Sequence, residues 1–175
     1  MILKLKRTPA IYLVGFMGCG KSTVGRALAD ELGWAFFDLD EEIERREKTS
    51  IAAIFDGRGE EVFREIETAA LRERVHAVQS GRPQVISLGG GAFLRDDNFE
   101  LVTNNGVTVW LDCLFSMIER RVGATSHRPL ARDLSQLQTL FEKRKPGYAR
   151  ADYRVEVADD DARAAVSRIL ALPLF

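Results

Sequence analysis

Cysteine is scarce in this chain, which has only Cys19 and Cys113. Two cysteines cannot build a disulfide framework, so the composition excludes the disulfide-stapled class of small secreted proteins. No apolar run approaches the length of a membrane span, and the N-terminus lacks the apolar core of a signal peptide. Too few residues precede the first predicted strand for a transit peptide. We therefore expect a cytoplasmic protein with no membrane partner.

An excess of one charge is also missing. The 25 Lys and Arg residues nearly balance the 26 Asp and Glu residues, which leaves a net charge of −1. Proteins that bind nucleic acids or anionic membranes through electrostatics need a positive surface, so we expect neither partner. Internal repeats, low-complexity tracts and Pro/Ser linkers are absent as well. With 175 residues, of which 46% are hydrophobic, the chain is predicted to form one domain over residues 1–175.

What the sequence does contain is a phosphate loop. Residues 15–22 read G-F-M-G-C-G-K-S, follow the apolar run 11–14, and precede apolar residues at helical spacing. This order of strand, glycine-rich turn and helix is typical of a loop that binds ATP or GTP. Backbone N–H groups and the helix N-terminus favour phosphate, Lys21 can reach the β- and γ-phosphates, and the Ser22 hydroxyl can bind Mg²⁺. The predicted nucleotide-binding residues of this loop are Gly18, Cys19, Gly20, Lys21, Ser22 and Thr23.

Strand-like runs alternate with helical stretches along the whole chain. The predicted strands cover residues 11–14, 35–39, 84–88, 107–111 and 153–157. Connections that are long and mostly helical indicate an α/β fold, with a parallel sheet covered by helices on both faces. Within the connections, residues 50–55 are predicted to form a short capped helix that residues 56–59 break. A later helix over about 134–145 is predicted to end before Pro146 and Gly147.

Two acids follow the second predicted strand, where ligands of such folds bind. In an extended segment Asp38 and Asp40 can project the same way, so one could help to hold Mg²⁺ while the other accepts a proton from an attacking hydroxyl. The alternative is that the acids simply stabilise a helix N-terminus. The residues alone do not decide between the two interpretations. Many phosphate-loop enzymes hold Mg²⁺ with an aspartate on a neighbouring strand. The third strand offers only Ser87 as a candidate metal ligand, so we expect Asp38 to assist the metal.

Three further features bear on function, and the first two also permit a plain structural interpretation. Arg64 and Glu67 have helical spacing, and such a pair is usually a solvated surface contact, although Glu67 could instead orient Arg64 to bind an anion. Residues 89–91 are three glycines after a buried strand, which suit either a tight turn or close approach of a substrate. Residues 123–134 are predicted to be a lid that closes over nucleotide and delivers Arg128.

Taken in order, these features resemble the shikimate kinase family over nearly the whole chain. The matching features are residues 15–18, residues 38–40, residues 59–60 followed by Phe63, Arg64 and Glu67, the glycines 89–91, residues 128–130, and Arg144 before Pro146. The resemblance implies phosphorylation of the 3-hydroxyl of shikimate by ATP. It also implies a P-loop kinase fold, a five-stranded parallel sheet of order 2-3-1-4-5, and we expect a monomer.

The resemblance also implies roles for particular residues. Lys21, Asp40 and Arg128 are the predicted catalytic residues, with Asp40 as the base for the reacting hydroxyl. The predicted shikimate-binding residues are Asp40, Arg64, Gly90, Gly91 and Arg144, with Phe55 and Phe63 as walls of the site. Arg121 is predicted to lie against adenine, Arg128 to be the lid arginine, and Ser22 and Asp38 to hold Mg²⁺.

The chain also departs from the family pattern. Cys19 replaces a small alanine, residues 48–50 lack a usual glycine, and Gly147 replaces a common leucine, which is predicted to loosen the end of the helix that carries Arg144. Two rivals remain at this point. One is a kinase for another hydroxy acid such as gluconate, and the other is a ligand sensor that has kept the fold and lost catalysis.

Overall fold

A five-stranded parallel sheet forms the centre of the protein in the computed structural model, which describes residues 9–124 and 133–174. The strand order is β2-β3-β1-β4-β5, and every neighbouring pair is parallel. This order is the one that the family resemblance implies, so the predicted fold is confirmed. The strands are β1 (Ala10–Val14), β2 (Ala35–Asp38), β3 (Gln84–Ser87), β4 (Val107–Cys113) and β5 (Tyr153–Val157).

Helices connect the strands. Crossovers between parallel strands are right-handed, and the connections β1 to β2 and β3 to β4 run in opposite directions across the sheet. Their helices α1 and α4 therefore cover opposite faces. The helices are α1 (Lys21–Leu32), α2 (Leu39–Glu47), α3 (Ile51–Gln79), α4 (Asp96–Thr103), α5 (Phe115–Ala124), α6 (Leu134–Tyr148) and α7 (Ala162–Leu170), and a 3₁₀ turn covers Ala92–Leu94. Within the described residues, no helix combines the length and apolar character that a bilayer span requires.

The core follows the centre of the sheet. Every residue of β1 and β3 is buried, whereas the edge strands β2 and β5 contain exposed residues. Central strands that are covered on both faces need apolar side chains at every position, which explains the apolar run of β1. Polar groups are buried here as well: Gln84 and Ser87 lie on β3, and the buried hydroxyl of Tyr12 on β1 donates a hydrogen bond to the carbonyl oxygen of Asn105 at 3.3 Å.

Helix α3 contains a kink, and the predicted break over residues 56–59 is too long. Ser50 caps the helix by accepting a hydrogen bond from the amide of Ala53, as the sequence indicates. The helix continues to Gln79, and Gly59 alone leaves helical geometry, with φ 84° and ψ 167°. A glycine adopts this positive φ without the steric cost of a Cβ. The kink sets the direction of the second half of α3, which carries Arg64 and Glu67.

The predicted end of α6 before Pro146 is wrong, because the helix continues to Tyr148. A proline lacks the N–H of a helical hydrogen bond and crowds the preceding turn, but Pro146 lies in the last turn, where the amide of Ala149 still donates to the carbonyl of Lys145 at 3.0 Å. Gly147 contacts Leu94 so closely that a Cβ on Gly147 would overlap the Leu94 side chain. The glycine therefore permits close packing of α6 and does not loosen its end.

Candidate active site

The phosphate loop, defined as residues 15–22, lies between β1 and the first turn of α1. Gly18 and Gly20 have φ of 78° and 92°, a region that favours glycine. Gly20 is the N-cap of α1, no side chain caps the helix there, and the first turn of α1 contains no acid. The N–H groups and the positive end of the helix are thus directed at one place, which suits a phosphate.

Lys21, the first residue of α1, lies over the phosphate loop. Its ammonium group donates hydrogen bonds to the carbonyl oxygens of Gly15 and Phe16, at 2.9 and 3.0 Å. It also lies 3.9 Å from the Cys19 sulfur. The loop therefore carries a cation beside its main-chain donors, which is the arrangement that a triphosphate requires.

The structure brings the two predicted metal ligands together. The Ser22 hydroxyl donates a short hydrogen bond to one carboxylate oxygen of Asp38. The other Asp38 oxygen accepts a hydrogen bond from the amide of Glu41 at 3.1 Å, so Asp38 is also the N-cap of α2. The helix-capping role and a metal role are therefore compatible in one residue. Ser87 is buried on β3 and is the register partner of Asp38.

The glycine turn, defined as residues 89–91, contacts three predicted site residues. A Cβ added to Gly89 would lie 2.7 Å from a carboxylate oxygen of Asp40. One added to Gly90 would lie 3.1 Å from Nη1 of Arg144, and one on Gly91 would overlap the Arg64 guanidinium. Only bare backbone leaves room for these charged groups. The three glycines therefore permit close approach of the protein's own charged side chains, and close approach of a substrate stays a prediction.

Asp40 is in the first turn of α2 and has a strongly perturbed environment. Burial, together with the negative charges of Glu67 and Asp38, raises its pKa from 3.8 to about 6, while Lys21 acts in the opposite direction. A carboxylate with this pKa is ionised at neutral pH and is a stronger base than an ordinary aspartate. These properties suit a general base for an alcohol.

Arg64 forms an ion pair with Glu67, and the interpretation of this pair as a solvated surface contact is wrong. The atoms Nη1 of Arg64 and Oε1 of Glu67 are 2.7 Å apart, and Glu67 is only 1% exposed. Burial raises the pKa of Glu67, and Arg64 acts against this rise. A buried carboxylate thus orients the guanidinium, which lies directly against Gly91.

Arg144 approaches the same turn from α6, and aromatic rings surround both arginines. Its Cζ lies 5.8 Å from the centre of the Phe16 ring. The Arg64 Cζ lies 5.2 Å from the centre of the Phe63 ring, and the Phe55 and Phe63 rings pack together with centroids 4.7 Å apart. Two guanidinium groups from different helices therefore face one glycine turn.

Comparison with known proteins identifies the family. A family model described as shikimate kinase matches residues 17–172. The chain is 38% identical to a shikimate kinase of Persephonella marina, covering 91% of this chain and 96% of that protein, and 44% identical to one of Chromohalobacter salexigens, covering 93% and 90%. The solved structure of shikimate kinase from Acinetobacter baumannii in complex with shikimate superposes with a TM-score of 0.85, at 38% identity and coverage of 93% and 90%. The chain belongs to the shikimate kinase family.

Membership of the shikimate kinase family defines the activity: the enzyme is a kinase that uses ATP and shikimate. A gluconokinase from Sinorhizobium meliloti also superposes, with a TM-score of 0.54 at 21% identity. At that identity the likeness shows a shared fold alone. The predicted family, fold and enzyme class are thus confirmed, and the interpretation as a sensor without catalysis is excluded by the family.

Of the two remaining residues that are predicted to bind the nucleotide of this shikimate kinase, Arg121 lies within the described residues. Nη1 of Arg121 donates to the carbonyl oxygen of Gly18 at 2.7 Å, and Nη2 donates to Asp160 at 2.7 Å. Arg121 therefore contacts the phosphate loop. Of the lid predicted over residues 123–134, residues 125–132, which include Arg128, lie outside the described residues, whereas residues 123 and 124 belong to α5 and Leu134 begins α6.

Sequence reasoning missed one residue of the shikimate kinase site. Tyr148 is buried, and its hydroxyl donates to the carbonyl oxygen of Gly90 at 2.5 Å. It follows Arg144 by one helical turn, so helical spacing could have placed the two side chains on one face. The prediction that α6 ends before Pro146 concealed this relation.

Cys19 and Cys113 are both buried free thiols near the loop of this shikimate kinase. A hydrogen bond from Cys113 lowers the pKa of Cys19, and Lys21 acts in the same direction against burial. Cys19 fills the space beside Gly15, where an added Cβ would lie 2.9 Å from its sulfur. Cys19 therefore packs as a small buried side chain of the loop.

Proposed function

We propose that this shikimate kinase transfers the γ-phosphate of ATP to the 3-hydroxyl of shikimate, with Asp40 as the general base. The observation that carries the proposal is the glycine turn, which contacts Asp40, Arg144 and Arg64 in succession. The same turn adjoins the phosphate loop, because a Cβ on Gly90 would lie 3.8 Å from the amide nitrogen of Met17. An acid, two cations and a phosphate site thus share one small region.

The phosphate loop holds the nucleotide. Main-chain N–H groups of the loop and of the first turn of α1 donate to the β- and γ-phosphates, and Lys21 exchanges its carbonyl partners for phosphate oxygens. Phosphoryl transfer depends mainly on positioning and charge neutralisation, so these cationic and dipolar groups supply most of the catalysis on this side. The loop residues that we assign to ATP are Gly18, Cys19, Gly20, Lys21, Ser22 and Thr23.

Asp40 accepts the proton of the attacking hydroxyl. Its raised pKa increases its basicity while leaving it ionised at neutral pH. Lys21 is close enough to influence this pKa, which supports a position for Asp40 between the phosphate loop and the alcohol. Gly89 leaves the carboxylate room on the side of the glycine turn.

Arg64 and Arg144 bind the carboxylate of shikimate. They come from α3 and α6, and both reach the glycine turn. Guanidinium groups bind a carboxylate with a defined geometry, so two of them fix the orientation of a small anionic ring as well as its affinity. Gly90 and Gly91 then line the site of the ring, since both lie against the arginines that bind the carboxylate. A larger residue at either position would displace those arginines.

Mg²⁺ fits beside the phosphate loop. The Ser22 hydroxyl and the Asp38 carboxylate are hard oxygen donors, the type that Mg²⁺ prefers, and they already contact each other. The described residues contain no cluster of three or more His, Cys, Asp or Glu side chains that could hold a metal alone. We therefore assign Ser22 and Asp38 to an ion that also uses phosphate oxygens and water. When bound, the ion neutralises phosphate charge.

The remaining assignments concern the lid, the location and the oligomeric state. Arg121 contacts the phosphate loop at Gly18, which supports a place beside the nucleotide; Arg128 keeps the lid role that the family resemblance implies. Two free thiols support a cytoplasmic location. The described residues expose three large apolar side chains, Leu114, Leu134 and Leu170, which supports a monomer. Light scattering after size-exclusion chromatography tests the monomer.

A coupled assay of ADP release tests the proposed function. We expect rapid ADP release with shikimate and little without it, and a lower kcat/KM with quinate and with gluconate. Lys21→Ala is the control, because it removes phosphoryl transfer and so reveals any contaminating ATPase. A higher kcat/KM for gluconate than for shikimate would contradict the proposal.

A further inference from the structure

The end of α6 is tied to the glycine turn by Tyr148. This residue is 1% exposed, and its hydroxyl donates to the carbonyl oxygen of Gly90 at 2.5 Å. Its ring packs near the ring of Trp110 on β4, with centroids 6.3 Å apart. This partly buried hydrogen bond restrains the orientation of the Gly90 peptide.

The same peptide is next to Arg144. A Cβ on Gly90 would lie 3.1 Å from Nη1 of Arg144 and 3.7 Å from the hydroxyl oxygen of Tyr148. The two side chains therefore meet at one backbone position. Burial raises the pKa of Tyr148, and Arg144 acts against this rise. The hydroxyl consequently keeps its proton across the working pH range and remains a donor.

A second contact restrains α6 beside the first. Gly147 packs directly on Leu94, which ends the 3₁₀ turn that follows the glycine turn. Adjacent residues of α6 thus contact two points of one short segment, Gly90 and Leu94. A helix that is held at two adjacent points has little freedom to slide or rotate near Arg144.

We propose that Tyr148 is a positioning residue that sets the distance between Arg144 and the Gly90 backbone. The inference rests on the proposed function, in which Arg144 binds the carboxylate of shikimate. Tyr148 acts through its neighbours and contacts no reacting atom. Its loss should therefore weaken shikimate binding and leave the phosphoryl-transfer step and the nucleotide side almost unchanged.

Tyr148→Phe and Tyr12→Phe form a matched pair of variants. Both tyrosines are buried, and each hydroxyl donates to a main-chain carbonyl, but the partner of Tyr12 is Asn105, outside the site. We expect Tyr148→Phe to raise the KM for shikimate about ten-fold, with kcat and the KM for ATP within about two-fold of the parent. Tyr12→Phe should leave all three constants unchanged. Melting temperatures of both variants measure the purely structural effect.

A double-mutant cycle with Arg144→Ala tests whether Tyr148 acts through Arg144. The proposal predicts that Tyr148→Phe raises the KM for shikimate in the parent and has little effect in the Arg144→Ala background. Equal effects in both backgrounds would overturn it. The proposal would also be overturned if the KM for shikimate of Tyr148→Phe were no higher than that of Tyr12→Phe, while Arg144→Ala raised this KM. An unchanged KM in Arg144→Ala alone would instead overturn the proposed role of Arg144, and with it the basis of this inference.

Discussion

The two halves of the active site are built differently. The proposed nucleotide half is centred on one continuous segment, the phosphate loop and the first turn of α1, whose donors are mainly main-chain N–H groups, and Asp38 and Arg121 contact that segment from other elements. The substrate half gathers charged side chains from α2, α3 and α6 around the glycine turn. A main-chain site depends on local backbone conformation, whereas a side-chain site depends on packing between distant segments.

This difference predicts which amino-acid substitutions each half should tolerate. Backbone donors remain when a loop side chain is replaced, so Lys21 is the main loop side chain whose loss should remove catalysis. In the substrate half the charged groups are partly or fully buried, and Arg64 is held by Glu67. Removing one charge there should therefore affect binding, stability and the pKa of neighbours together.

The largest effect is expected for Lys21→Ala. We expect phosphoryl transfer to fall by about 10⁴-fold or more, because the developing charge on the phosphate loses its closest protein cation. Steady-state ADP release measures the effect, with Arg26→Ala as control, since Arg26 is on the same helix as Lys21 and forms only an exposed ion pair with Glu41 of α2. Normal turnover in Lys21→Ala would exclude the Lys21 ammonium group from the mechanism.

The next largest effect is expected for Asp40→Asn. The amide keeps the shape but cannot accept the proton, so kcat should fall by about 10²–10⁴-fold. The affinity for ATP should persist, because the phosphate loop is unchanged. Single-turnover kinetics and nucleotide titration measure the two quantities separately. An unchanged kcat would rule out Asp40 as the base.

Arg144→Ala and Arg64→Ala should weaken shikimate binding to a similar extent, but they should differ in their effect on the free energy of unfolding. Each should raise the KM for shikimate by the equivalent of about 2–5 kcal/mol, because each removes a cation from the carboxylate. Arg64→Ala should also lower the free energy of unfolding by about 3–5 kcal/mol, since it leaves buried Glu67 unpaired. Urea denaturation and steady-state kinetics measure these effects.

The double variant Arg64→Ala/Glu67→Gln is the control for this pair. It removes the buried negative charge, so it should recover most of the lost stability without recovering the KM. An effect of Arg144→Ala on the KM for ATP alone would move Arg144 to the nucleotide half.

The smallest effect concerns pH. Asp40 must be ionised to act as a base, and its pKa is about 6, so kcat/KM for shikimate should fall about ten-fold per pH unit below that value. Glu67 raises this pKa, and Glu67→Gln should therefore move the acid limb to lower pH. A limb that remained near pH 6 in Asp40→Asn would assign it to another group.

The same pKa predicts the pH dependence of stability. The pKa of Asp40 is higher in the folded state than its ordinary 3.8, so the folded protein binds this proton more readily. The ionised group therefore costs stability above about pH 6, and the cost disappears below about pH 4. Asp40→Asn should stabilise the protein by about 2–3 kcal/mol at pH 8 and little at pH 4. Equal stabilisation at both values would contradict the assigned environment.

The local half of the site was predictable from sequence, and the assembled half was not. Glycine spacing between a strand and a helix specifies the phosphate loop without any distant contact. Whether Asp40 and Arg64 were functional stayed open on the residues alone, because their burial depends on how α2 and α3 pack against the glycine turn. Only the family resemblance connected them.

The remaining errors have the same origin. Pro146 is a local signal for the end of a helix, but packing of Gly147 on Leu94 and the hydrogen bond of Tyr148 stabilise one further turn. Gly147 likewise predicted a loose helix end, but the Leu94 side chain packs directly against it. Contacts between segments that are distant in sequence decided each case.

A structure with shikimate and a non-hydrolysable ATP analogue tests the central claim most directly. The account predicts a carboxylate oxygen of Asp40 at about 2.6–3.2 Å from the shikimate hydroxyl that faces the γ-phosphate, with both Arg64 and Arg144 on the shikimate carboxylate. A complex in which that hydroxyl lies out of reach of Asp40, or in which either guanidinium points away from the carboxylate, would contradict it.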